Sequence, residues 1–124
     1  MPAYNSLDFD PPAPVALVSF ANLENGQALD NVRMLLDSGA DASVVPQQVV
    51  HGLGAAEHAT AYEIEHLEGS VATLSSVRLQ MKWMGRAFTG DFLVAPTEYG
   101  VLGRNILNHI RIVLDGPQLN WEAG

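Results

Sequence analysis

Apolar and polar residues alternate along most of this chain with a period of two, the spacing of half-buried strands rather than of helices. The clearest run is 71–83, where Val77, Leu79, Met81 and Trp83 fall on one face and Arg78, Gln80 and Lys82 on the other. Over residues 15–21, Ala16, Val18 and Phe20 share a face, with Ser19 opposite. Asn25-Gly26 comes next, and because Asn and Gly tolerate positive φ this pair predicts a tight hairpin whose second strand covers 28–36. Further strands are expected at 44–45, 57–66, 88–95, 101–102 and 111–114, with a last extended piece at 118–121. Glycine, proline and polar clusters place turns at 51–54, 65–70, 85, 96–100 and 115–117. Pro46 can open one turn of helix through Val50, and 103–109 suits a second short helix. Eight or nine short strands with so little helix predict an all-β domain, a closed or sandwiched barrel.

Composition narrows the class of protein. The 124 residues can build one core but not two lobes, and 48% apolar residues with only 16% charged ones describe a globular chain. Fourteen acids against six bases give a net charge of −8, which argues against nucleic acid or an anionic membrane as a partner, since phosphate binding needs clustered Lys and Arg. There is no cysteine, so neither a disulfide frame nor a thiolate metal site can form. His51, His58, His66 and His109 lack metal-ligand spacing, and neither a metal nor a cofactor is expected. No apolar run approaches the ~20 residues of a membrane span, and the first residues lack the basic and apolar regions of a signal peptide. A soluble, cytoplasmic protein is expected. Residues 1–14 hold four of the seven prolines, so 1–13 reads as an extended, unpacked arm ahead of a domain covering 14–124.

The candidate chemistry lies where the second strand ends. Leu35-Leu36 runs directly into Asp37-Ser38-Gly39-Ala40-Asp41-Ala42-Ser43, and the apolar pattern resumes at Val44-Val45. A carboxyl set against two leucines is partly desolvated, which favours its neutral form and lets it hold or trade a proton. Ser38 can donate and accept a hydrogen bond, and Gly39 permits close approach to the main chain. Asp-Ser-Gly is also an ordinary turn tripeptide, but a plain surface turn rarely needs two leucines before it and an apolar run after it.

Residues 36–45 resemble the active-site strand and loop of retropepsin-like aspartic proteases, the single-domain relatives of pepsin. Val101-Leu102-Gly103-Arg104-Asn105-Ile106-Leu107 resembles that family's second signature, and the likeness covers about residues 14–121. It implies a small closed β-barrel of the retropepsin type with one short C-terminal helix, working as an aspartic endopeptidase on a peptide or protein substrate. Asp37 would be catalytic, with Ser38 and Gly39 beside it. Ala40, Asp41, His66, Gly69 and Ser70 would contact substrate, the last three from a flap at 65–70. Arg104 would brace the active-site loop, here inferred as an ion pair with Asp41. Aspartic-protease chemistry needs two carboxylates sharing one proton, because like charges at close range cannot both ionise. This chain holds a single Asp-Ser-Gly, and Asp115-Gly116 lacks the hydroxyl residue. Activity would therefore require a homodimer with one Asp37 from each subunit. Leu119-Asn120-Trp121 resembles the family's C-terminal interface strand. The candidate flap departs from the retroviral pattern, with one glycine and two acids. A non-catalytic peptide-binding or dimerisation module is the competing reading.

Overall fold

The computed structural model describes residues 1–65 and 71–124. Among these the elements run β1 (Val15–Ala21), β2 (Ala28–Leu36), β3 (Val44–Pro46), α1 (Gln47–Gly52), β4 (His58–Glu65), β5 (Val71–Trp83), β6 (Arg86–Ala95), β7 (Gly100–Leu102), α2 (Arg104–Leu107), β8 (Ile112–Asp115) and β9 (Asn120–Ala123). The main sheet has the order β1-β2-β7-β3-β6-β5-β4, and β1 also pairs with β5. Six strands thus close on themselves as a barrel, and β4 extends outward from β5. The all-β barrel with a short C-terminal helix stands as the resemblance implied.

Closure follows from the period-two faces. Ala16, Val18 and Phe20 of β1, Val32 and Met34 of β2, Val77, Leu79 and Met81 of β5, Phe92 and Val94 of β6, and Leu102 of β7 are all buried in one cluster. Both hairpins turn through a glycine at positive φ. Gly26 has φ 75°, and its N–H donates to the Asn22 carbonyl. Met84 and Gly85 both have positive φ between the paired Trp83 and Arg86. The β1–β2 register shifts between Val18 and Phe20, and there β1 also begins to pair with β5, Ser19 opposite Lys82 and Phe20 opposite Met81. A bulge sharpens strand twist, which is what a barrel corner requires.

The centre of the sheet brings the two sequence signatures together. β7 runs parallel to β2, Leu36 opposite Leu102, and meets β3 antiparallel at Val44↔Val101. A Cβ on Gly100 would come within 2.4 Å of both Met34 Sδ and the Val44 carbonyl oxygen, so this close passage admits only glycine.

One expectation about the chain ends is corrected. The proline-rich arm is not an unpacked extension. The Tyr4 N–H donates to the Leu119 carbonyl (2.8 Å), the Trp121 N–H donates to the Pro2 carbonyl (2.9 Å), and Ala3 bridges Asn120. Proline lacks an N–H but keeps a carbonyl, so Pro2 and Pro14 can still accept; the Pro14 carbonyl takes the Leu36 N–H. Asp8 pairs with Arg33, and the Phe9 ring meets Tyr99 edge-on at 4.8 Å. Leu119 sits in the turn with φ 52°, and Trp121, 3% exposed, packs against Trp83 with centroids 6.1 Å apart. β9 lies between the arm and β8, which leaves β8 as the outer strand of the terminal sheet.

Phe20 is fully buried and stacks edge-on with Phe92 at 5.2 Å. Phe20→Ala is expected to lower unfolding free energy by about 3–5 kcal/mol, read as a reduced urea midpoint with little change in slope.

Candidate active site

Asp37 is the first residue past β2, and its N–H donates to the Leu102 carbonyl at 3.0 Å, carrying the β2–β7 ladder one step beyond the strand. The chain then turns: the Ala40 N–H donates to the Asp37 carbonyl (3.2 Å), and the Gly39 N–H donates to Asp37 Oδ1 (2.9 Å). An aspartate bonding the amide two residues on is the ordinary Asx-turn, so the turn and the candidate site are one geometry. Asp37 is half-buried, while Ser38 and Gly39 form the exposed tip. Gly39 does not take positive φ, unlike Gly26, Gly54 and Gly85 among the described residues, and a Cβ there would make a tight 3.1 Å contact with Asp37 Oδ1.

The second signature passes directly beneath this loop and takes up its carbonyls. The Arg104 N–H donates to the Ala40 carbonyl at 2.8 Å, and an Arg104 guanidinium nitrogen (Nη1) donates to the Ser38 carbonyl at 2.8 Å. The guanidinium contact is a charge-assisted bond to the loop backbone. A Cβ on Gly103 would fall 2.3 Å from the Ala42 carbonyl oxygen and 3.0 Å from that of Ala40. Ser43, 1% exposed, accepts the Gly103 N–H (3.0 Å) and donates to Asn105 Oδ1 (2.7 Å). Sequence reading missed Ser43 and Asn105. The available signal was a hydroxyl beside Val44-Val45, which once buried must find partners.

The remaining candidates divide by position. Asp41 follows on the exposed bend of the same loop, and Ala40 has both its N–H and its carbonyl engaged within the site. His66, Gly69 and Ser70 lie outside the described residues, and so does the flap reading. β4 and β5 pair as far as Glu65↔Val71 on either side of that segment. Asp115 ends β8, and its Oδ1 accepts the N–H of Gln118 in the β8–β9 turn at 3.2 Å. A hollow of about 640 Å³ lies elsewhere, among Pro2, Val15, Leu17, Trp83 and Trp121. Among the described residues no three His, Asp or Glu side chains gather closely enough to hold a metal ion, and no helix is long and apolar enough to cross a membrane. What the loop offers chemically is one carboxyl, oriented by its own turn on a backbone tied down from below.

Comparison with known proteins bears on this site. The family model described as retroviral aspartyl protease matches residues 15–115, which include both signatures. Among solved structures, EIAV protease complexed with the inhibitor HBY-793 superposes with a TM-score of 0.61 at 25% sequence identity, over 85% of this chain and 91% of that one. A search of curated protein sequences found no match.

Ser43→Ala strands the buried Gly103 N–H and removes the donor to Asn105. It is expected to destabilise the fold by about 1–3 kcal/mol, measured by equilibrium denaturation.

Proposed function

Because the chain belongs to the retroviral aspartyl protease family, we propose that it is an aspartic endopeptidase active as a homodimer, with Asp37 of each subunit forming the catalytic dyad. The observation that carries this reading is the lone Asp-Ser-Gly at the end of β2, its carboxyl oriented by the Gly39 N–H and its loop tied to Gly103 and Arg104. One such carboxyl is half of the chemistry. Two brought together share a proton and titrate as a pair.

In the first step the ionised carboxylate takes a proton from a water held between the pair. The water oxygen bonds to the scissile carbonyl carbon, and the protonated carboxyl passes its proton to the carbonyl oxygen. The resulting tetrahedral diol collapses as its C–N bond breaks, with a proton delivered to the departing nitrogen. Gly39 and Asp41 flank the bound peptide in this reading, Ser38 steadies the loop across the dimer, and Gly69 with its neighbours closes over the substrate. The peptide binds extended, as an added strand. Arg104 acts by positioning, through the Ser38 carbonyl.

The test is cleavage of a diverse peptide mixture between about pH 4 and pH 7, the region where a shared-proton dyad keeps one proton. Asp37→Asn, run beside the wild type, is expected to lower the rate by on the order of 10²- to 10⁴-fold. Wild-type rate per mole of chain should rise with protein concentration until the dimer is saturated. Cleavage that survives Asp37→Asn would remove this mechanism. Absence of cleavage from folded, dimeric protein would favour the non-catalytic module.

A further inference from the structure

β2 and β7 have a second face, turned away from the core. Val32 and Met34 of β2 are buried, so Arg33 and Leu35 alternate outward, and Asp37 continues that row past the strand end. On β7, Val101 pairs with Leu35, while Tyr99 stands one residue before Gly100, the partner of Met34. β1 adds Val15 opposite Leu35 and Leu17 opposite Arg33. From the Asp37 carboxyl the outward row thus leads over a half-buried apolar pair, Leu35 and Val101, to Arg33 and Tyr99. Four residues of strand separate its ends, about 13 Å.

The N-terminal arm closes the far end of this row. Asn5 and Ala13 exchange both backbone hydrogen bonds, at 2.7 and 3.1 Å, which makes a loop of residues 5–13. The base of the loop lies beside Leu36, whose N–H donates to the Pro14 carbonyl. Its tip reaches back to Arg33 and Tyr99, where Asp8 pairs with the guanidinium and the half-buried Phe9 ring meets Tyr99 edge-on. The tip is ordered from within. Asn5 Oδ1 accepts the N–H groups of Leu7 and Asp8, both at 3.0 Å, and Asn5 Nδ2 donates to Asp8 Oδ2 at 3.0 Å. The Asp8 carboxylate is therefore held in place for Arg33 by its own loop, which reduces the entropy lost in making the pair.

We propose that the 5–13 loop is a wall of the peptide cleft, and that Asp8 and Phe9 decide which substrate side chain rests on Leu35 and Val101; the inference rests on the peptide-cleaving reading above. Leu35 and Val101 offer an apolar floor, which suits an apolar side chain. A free Arg33 would make the end of that floor an anchor for an acidic side chain, but Asp8 already engages its guanidinium. Phe9 fills the space beside Tyr99 that a large aromatic side chain would need. The substrate class that remains is a peptide with aliphatic side chains of Val or Leu size flanking the cleaved bond. Acidic and large aromatic side chains are refused by the arm, through an engaged charge and a filled space. With one floor and one wall per subunit, the preference holds on both sides of the bond.

The test varies the two residues flanking the cleaved bond in a peptide the protein cuts, and compares kcat/KM across the series. Phe9→Ala is expected to raise the ratio of Phe to Val peptides about tenfold or more, the scale of size discrimination in an apolar site. Asp8→Asn keeps an acceptor for Asn5 and releases Arg33. The ratio of Glu to Gln peptides is then expected to rise about fivefold, and adding Arg33→Gln should cancel the rise. Unchanged ratios would overturn the wall. So would a rate change equal for every peptide, because a loop that merely plugs the cleft or supports the fold moves all substrates together. Where Phe9→Ala lowers the urea midpoint, Phe9→Leu repeats the comparison with less loss of packing. Binding gives a readout that needs no cleavage: in the Asp37→Asn background, peptides retained from a diverse mixture are identified by mass spectrometry with and without Phe9→Ala. If no peptide is cut, yet Phe9→Ala shifts retention from aliphatic toward aromatic peptides, the wall stands and the enzyme falls. Asp37-dependent cleavage with ratios and retention indifferent to Asp8 and Phe9 does the reverse. Absence of both cleavage and retention removes both.

Discussion

Everything distinctive about this site depends on two stretches of backbone passing closer than side chains allow. Gly103 crosses under the 37–43 loop with room for a hydrogen and no more, the Ala42 carbonyl oxygen lying 2.3 Å from where a Cβ would be. Such an approach buries polar groups, and Ser43 takes them up by accepting from Gly103 and donating to Asn105. In a low-dielectric interior an unmade hydrogen bond is costly, so the crossing has little freedom to loosen. The loop above it inherits that rigidity. Arg104 then holds the loop from two directions, through its own N–H to Ala40 and its guanidinium to Ser38.

The barrel supplies the frame for the crossing. β7 lies between β2 and β3, so the strand that delivers Asp37 and the strand that receives the chain after it are both bonded to the strand that leads into Gly103. Apolar faces on all six barrel strands stabilise this arrangement without any contribution from the site. Folding and chemistry are in this sense separable: the core is built by Phe20, Met34, Leu79, Met81 and Leu102, and the acidic loop rides on its rim. The price of a single acidic loop per chain is that a shared proton requires a second copy.

Much of this was readable along the chain, because it is written in local pattern. Period-two alternation gave the strands nearly to their ends, since a strand with one buried face must alternate. Asn25-Gly26 and Gly85 marked their hairpins because few other residues accept positive φ. Asp37-Ser38-Gly39 and Gly103-Arg104-Asn105 stood out as motifs whose order and spacing match one family. The absence of cysteine excluded a disulfide in the same way, needing only a count.

Other features came into being only when distant segments met. Nothing local announces that Ser43 is buried against Gly103 and Asn105, sixty-odd residues away, since a hydroxyl in a loop reads as solvated until a neighbour covers it. The guanidinium of Arg104 finds its acceptor in the Ser38 backbone, whose carbonyl carries no sequence signal. The arm looked unpacked because prolines cannot donate, yet its carbonyls could be used once β9 and β2 offered N–H groups. Which of β8 and β9 lies outermost was likewise a matter of assembly. Two short apolar strands look alike in one dimension, and only the docking of residues 2–4 along β9 decided that the open edge is Ile112–Asp115.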